Sequence, residues 1–119
     1  MNDLSTPALN MLERYLDLTT QRQSLVVTNM ANIDTPGYQT RDLNFKAELQ
    51  RAVSNNETST SAMTFSPPGL LQRPDGNNVN IDRESMLMAE MQMQFRLGVQ
   101  LVRNEFSRLY TAINEGSKG

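Results

Sequence analysis

The chain has 119 residues, of which 38% are hydrophobic and seven aromatic, and it contains neither Cys nor His. Eleven basic residues against thirteen acidic ones leave a formal charge of -2, with neither sign gathered into a block. This composition excludes a disulfide scaffold, a thiolate nucleophile, a cysteine metal site and an imidazole base, and it offers no electrostatic footprint for nucleic acid.

From Thr6 to about Ile33 the pattern predicts a helix, with Pro7 in the first turn after Ser5 or Thr6 as cap. Leu9, Leu12, Leu16, Thr19, Gln23, Val26, Met30 and Ile33 recur at intervals of three and four, the spacing of a coiled-coil seam. Leu18 and Leu25 widen the stripe and call for more than one neighbour. Thr19 and Gln23 weaken it, either as near-surface positions or as groups that set register. No basic stretch followed by an apolar run opens the chain, and no run of eighteen apolar residues occurs, so neither a cleaved secretion signal nor a membrane span is expected.

Asn29, Asn32 and Asp34 crowd the expected helix end, where short polar side chains compete for backbone groups. Thr35 precedes a proline, which disfavours helical backbone, and Pro36-Gly37 supplies the middle of a type II turn with Gly at positive φ. Leu43, Phe45, Ala47 and Leu49 then alternate with polar residues, a pattern open to a strand or to the start of a short helix.

Residues 52–80 change character, with seventeen of 29 being Ser, Thr, Asn, Gly or Pro. Ordering the backbone costs about 1 to 2 kcal/mol per residue. The six large apolar side chains, worth roughly 1.5 to 3 kcal/mol each when buried, fall short of that cost, so the stretch reads as a flexible link. Asp75-Gly76 is a turn pair, and Asp82 is the expected cap of a second helix from about Arg83 to Asn114. Its stripe of Met91, Phe95, Gly98, Val102, Phe106, Leu109 and Ile113 has a period near 3.67 residues, which differs from the 3.5 of the first helix. Gly98 within it allows a close approach, marks a bend, or is simply tolerated. The expected fold is mainly α: two long terminal amphipathic helices in a coiled-coil-like rod domain, joined by a turn or extended corner and a polar middle. The chain divides into 1–51, 52–80 and 81–119, with the two helical parts forming one discontinuous domain.

Enzymatic chemistry has little to rest on. Asp34, Asp42 and Glu48, like Glu84 and Glu90, read as ordinary solvated charges without a cavity to hold substrate between them. Asp75, Asn77 and Asp82 lack the twelve-residue calcium-loop pattern. Arg96, Arg103 and Arg108 make a partial basic line that Glu90, Glu105 and Glu115 interrupt. Met86, Met88, Met91 and Met93 suit an adaptable packing surface better than a soft-metal site. No catalytic residue, cofactor, metal or small-molecule substrate is expected. Two long helices with more apolar surface than one antiparallel pair can hide suit a subunit that completes its core against copies or relatives.

The run Asn29-Met30-Ala31-Asn32-Ile33 resembles the signature of the flagellar rod, hook and hook-associated protein family. Asp34-Thr35-Pro36-Gly37-Tyr38, continuing through Arg41-Asp42-Leu43 to Phe45, is similar to its proximal-rod branch, and the later run from Asp75 to Glu90 follows in the order found there. The resemblance spans roughly 6–50 and 75–115, with a middle segment short for the family. It implies a non-enzymatic subunit of the basal-body rod, exported by the flagellar type III apparatus without a cleaved signal and standing in the periplasm, where the rod transmits torque from motor to hook. Its partners would be itself, FlgC and the distal rod proteins, the FliE adaptor and the membrane-supramembrane ring. The alternative is another helical self-assembling or adaptor protein. On this reading Asn29, Asn32 and Asp34 end the helix, Pro36 and Gly37 set the exit angle before Tyr38, and Leu43 and Phe45 lay the next segment on neighbouring helices. The packing residues are Leu9, Leu12, Leu16, Val26 and Met30 in the first helix and the Met91–Ile113 stripe in the second.

Overall fold

A computed structural model describes residues 6–55 and 61–118. Helix α1 spans Pro7–Ala31, strand β1 Asp42–Leu43, helix α2 Phe45–Asn55, strand β2 Thr64–Phe65 and helix α3 Ile81–Lys118. The molecule measures 71 × 26 × 19 Å, and no helix among the described residues is long and apolar enough to cross a membrane.

Thr6 caps α1, its Oγ1 accepting the Leu9 N–H at 3.1 Å, and Pro7 occupies the first turn, where a missing N–H costs nothing. The alternative cap, Ser5, lies outside the described residues. Helix α3 starts earlier than its sequence pattern suggests, because Asn80 rather than Asp82 is the cap. The Asn80 Oδ1 accepts the Arg83 N–H at 3.1 Å, which leaves Asp82 in the first turn where its charge meets the helix dipole.

Asn29 meets Glu84, Gln23 meets Met88 and Leu16 meets Gly98, so α1 and α3 run antiparallel. Their core contains Val26, Leu87 and Met91, and Thr19 fits there because its hydroxyl donates to the Tyr15 carbonyl at 2.8 Å. Gly98 is a point of close approach: a Cβ added there would lie 2.5 Å from Leu16 Cδ2. A second face of α1, carrying Arg14, Leu18 and Asn29, is buried as well. It receives α2 and β1, which gives Leu18 the extra neighbour that the widened stripe requires.

The alternation at 43–49 resolves into two elements. β1 pairs antiparallel with β2, Asp42 opposite Phe65 and Leu43 opposite Thr64. Helix α2 then begins because Asn44 caps it, accepting the Ala47 N–H on Oδ1 at 3.1 Å. An extended reading of that segment therefore fails after Leu43. Phe45 packs edge-on against Tyr15 with ring centroids 5.3 Å apart, and Glu48 and Ala52 are buried on the following turns. Within 52–80, residues 52–55 complete α2, and 61–80 run back along α1 to the start of α3.

Candidate functional site

The two sequence motifs, residues 29–45 and 75–90, converge on one corner at the end of the helix pair where α1 stops and α3 begins. Two turns interlock there. The Tyr38 N–H donates to the Thr35 carbonyl at 3.2 Å across Pro36-Gly37, with Gly37 at φ +76, the left-handed conformation that glycine adopts without penalty. Opposite it, the Gly76 N–H donates to the Arg73 carbonyl at 2.9 Å, and the Gly37 N–H donates to the Asp75 carbonyl at 2.9 Å. Gly76, at φ +89, sits so close that a Cβ there would lie 3.3 Å from the Gly37 Cα. One turn is thus held directly against the other, backbone to backbone.

Asn29 is the hub. It is 1% exposed and uses its whole side-chain amide. Its Nδ2 donates to the Arg41 carbonyl at 2.9 Å and to Glu84 Oε1 at 2.6 Å, while its Oδ1 accepts the Tyr38 hydroxyl at 2.8 Å and the Arg41 N–H at 3.1 Å. Asn29 therefore does not end the helix. It sits inside α1 and ties the outgoing strand to α3. Helix termination falls to Asn32, whose backbone N–H and Nδ2 both reach the Thr28 carbonyl. Asp34 is exposed and takes no part in the hub.

Around Asn29 runs a ladder of charges. Arg22 grips Asp42 with two hydrogen bonds of 2.8 and 3.0 Å, and Arg83 bridges Asp42 and Glu84 at 2.6 Å each. Asp42 and Glu84 are almost wholly buried. Burial pushes the Asp42 carboxyl up, but Arg22, the Leu43 N–H and Arg83 together outweigh it and hold the carboxyl below the usual range. Burial opposes the charge of Arg83 too, and its bonds to Glu84 and Asp42 reverse that effect and raise its pKa. Burial and the Glu84 carboxylate raise the Tyr38 hydroxyl, with Arg41 opposing, so Tyr38 stays a proton donor to Asn29. The acids at 42, 48 and 84, which read from sequence as solvated charges, are buried and paired. Glu48 lies 2.8 Å from Arg51 and 3.9 Å from Arg14.

The polar middle supplies the rest. Asn77 donates from Nδ2 to the Asn32 and Thr35 carbonyls, both at 2.9 Å, and so satisfies backbone groups freed at the end of α1. Asn78 accepts the Thr40 N–H at 2.7 Å and donates to Gln39 Oε1 at 2.9 Å. Arg73 reaches the Ile33 carbonyl. Of the residues singled out from sequence, Asn29, Asn32, Pro36, Gly37, Tyr38 and Leu43 come together here, and Phe45 lies just beyond on α2. Asp42, Glu84 and Asn77, weighed from sequence for catalysis or calcium, complete the corner together with Arg22 and Asn78. The sequence signal that could have found Arg14 and Arg22 is their eight-residue spacing on the face of Leu18.

Along the shaft, Leu9, Leu12, Leu16 and Met30 are half-buried and Val26 is buried, all between α1 and α3 or beside them. In α3, Met91 and Gly98 are buried and Val102 and Leu109 half-buried, whereas Phe95, Phe106 and Ile113 are exposed. Glu105 and Arg108 pair with each other at the surface. Asp75 accepts the Asn77 N–H and Asp82 is exposed; they do not converge with Asn77 on a common point, and no cluster of metal-ligating acids occurs among the described residues.

No protein-family model matches the chain. It is similar to the flagellar basal body rod protein FlgB of Escherichia coli strain K12, with 28% identity over 138 aligned positions that cover 98% of this chain and 100% of the relative. The FlgB of Borrelia hermsii is 29% identical over 89% of the chain and 95% of its own length. That of Buchnera aphidicola is 29% identical over 84% and 89%.

Proposed function

We infer, from its similarity to FlgB proteins, that this chain belongs to the FlgB branch of flagellar basal body rod proteins and is a structural subunit of the rod. The observation that carries this reading is the end-to-end similarity: relatives of that one name align along nearly the whole chain, through both helices and the corner between them. The subunit works without catalysis. Supporting that, the buried acids Asp42, Glu48 and Glu84 are each engaged by an arginine. It stands in the periplasmic part of the basal body after export through the flagellar type III apparatus without a cleaved signal. Its neighbours are further copies of itself, FlgC and the distal rod proteins, the FliE adaptor and the membrane-supramembrane ring. Residues 1–51 and 81–119 act as one discontinuous domain, with 52–80 as the link, and the corner around Asn29, Asn32, Asp34, Pro36, Gly37, Tyr38, Leu43 and Phe45 fixes how the helices are presented to neighbours.

The test uses cells whose only copy of this subunit carries Val102→Asp. Val102 is half-buried on the seam side of α3, where an unpaired carboxylate costs roughly 1 to 3 kcal/mol or more. Isolated basal bodies should lack the rod and the cells should not swim, while Glu115→Gln on the exposed end of α3 leaves both intact. Motile Val102→Asp cells, with normal rods, would refute the assembly role of the seam.

A further inference from the structure

The seam that α3 turns toward α1 does not end where α1 ends. With Leu16 opposite Gly98 and the helices antiparallel, the first turn of α1 lies opposite about residue 107 at a shared rise of about 1.5 Å per residue. Phe106, Leu109, Tyr110 and Ile113 carry the apolar face onward and line a groove of roughly 370 Å³. Phe106, Tyr110 and Ile113 are exposed, and no described helix covers them. A second apolar stripe lies on the same helix, turned away from α1. Met86, Met93 and Leu97, spaced by seven and four residues, are 64%, 70% and 54% exposed.

We propose that these two faces meet between copies of this chain, the Phe106–Ile113 groove of one copy seating on the Met86–Leu97 stripe of the next. The proposal rests on the rod-subunit reading and adds which surfaces join. Three observations favour a second copy as the occupant. The groove continues the intrachain seam, so it is shaped for an apolar helix face, and α1 of each copy is already engaged with its own α3. Among the described helices the Met86–Leu97 stripe is the long apolar face left open besides the groove, since among large hydrophobic residues α2 exposes only Val53 and α1 only Met11 and Val27, which stand far apart. The chemistries also match, because flexible thioethers fit irregular aromatic surfaces and make favourable contacts with ring edges.

Joining two different patches makes a head-to-tail contact, which repeats from copy to copy, whereas groove-to-groove pairing would stop at a dimer. The patch centres are about 18 residues apart on one straight helix, so copies pointing the same way would be offset by about 27 Å. That is well under the 71 Å length of the molecule, so neighbours overlap side by side.

The chain has no Cys, so introduced pairs report contacts without background. Basal bodies would be isolated from motile cells whose only subunit carries both Tyr110→Cys and Met93→Cys, and treated with a short bismaleimide. A ladder of dimers and higher multimers of this chain is expected, with single-cysteine variants remaining monomeric. Dimers from Tyr110→Cys alone would mean groove-to-groove pairing and overturn the proposal. So would a crosslink to a different protein, or none, in motile cells. If the first pair blocks assembly, Ile113→Cys with Met86→Cys probes the same two faces and is read in the same way. Absence of the unmodified chain from basal bodies would instead strike at the rod reading, so the two failures are distinguishable.

Discussion

Asn29→Ala tests whether the corner is held by its hub. The substitution removes four hydrogen bonds at a side chain that is 1% exposed. The largest loss falls on Glu84, which is fully buried and keeps only Arg83 for its other oxygen. Leaving a buried charged oxygen short of a donor costs about 1 to 3 kcal/mol, and the Arg41 and Tyr38 bonds add about 0.5 to 1 each after partial replacement by water. With three such bonds the sum is about 2.5 to 6 kcal/mol. Helix propensity opposes it slightly, since Ala is the better helix former by about 0.6 kcal/mol. With a urea slope of about 1.5 kcal/mol/M for a chain of this size, the midpoint of unfolding followed by circular dichroism should fall by roughly 1.3 to 3.5 M. Asn32→Ala, at a less buried position and touching only the Thr28 carbonyl and the Thr35 hydroxyl, should lower it by less than half as much. Equal midpoints for the two variants would refute the assignment of Asn29 as the hub.

Asp42 makes the corner sensitive to acid. Its folded pKa is depressed, so its contribution is fully present above the ordinary carboxylate value of about 3.9 and is lost as pH falls through the folded value. Urea midpoints measured from pH 5 to pH 2 should therefore drop more steeply for the native chain than for Asp42→Asn. Gly98→Leu should destabilise the helix pair by about 1 to 3 kcal/mol through overpacking against Leu16 and Tyr15, and Leu16→Ala in the same chain should recover part of the loss in thermal unfolding. Gly76→Ala should cost more than Gly37→Ala: both positions have positive φ, worth about 1 to 2 kcal/mol of strain with a side chain, but only at Gly76 does the new Cβ meet backbone. Thermal midpoints of the two variants would settle the order.

What was legible in the sequence was what depends on neighbours along the chain. Thr6-Pro7 marks the start of α1, and Thr35-Pro36 the turn that follows its end at Ala31, because capping and the pre-proline clash act over one or two residues. Gly37 declares its turn for the same reason. The segment at 43–49 was ambiguous because Leu43, Phe45, Ala47 and Leu49 fit a period of two, while Phe45, Glu48 and Ala52 fit a helix, and the cap that decides between them is the single side chain of Asn44. The corner network was not legible at all. Arg22 and Asp42 are 20 residues apart and Asn29 and Glu84 are 55 apart, and nothing local distinguishes a paired, buried acid from a solvated one. Residues 77–79 misled in a different way. Counting apolar side chains omits the order contributed by Asn77 and Asn78, which satisfy backbone groups that burial would otherwise leave unpaired.

A buried polar corner costs more to assemble than an apolar one, and its position explains what it is for. Two long apolar helices can slide along each other by a turn, about 5.4 Å, and still bury similar area, because Leu, Met and Val are nearly interchangeable at a seam. The Asn29–Glu84 and Asp42–Arg83 bonds allow no such shift. Moving α3 by one turn would carry Glu84 away from Asn29 and Arg83 away from Asp42, leaving buried charges without partners. The corner therefore fixes one register for the whole pair. In a subunit of a rod that register sets where the exposed apolar faces of α3 lie relative to the corner, and hence where each neighbour can dock. Arg14 and Glu48 repeat the device more weakly further along α1, at 3.9 Å, so that α2 is registered to the same helix. Polar bonds at the corner and an apolar shaft thus divide the work: the shaft supplies most of the burial, and the corner selects which of several nearly equal alignments is built.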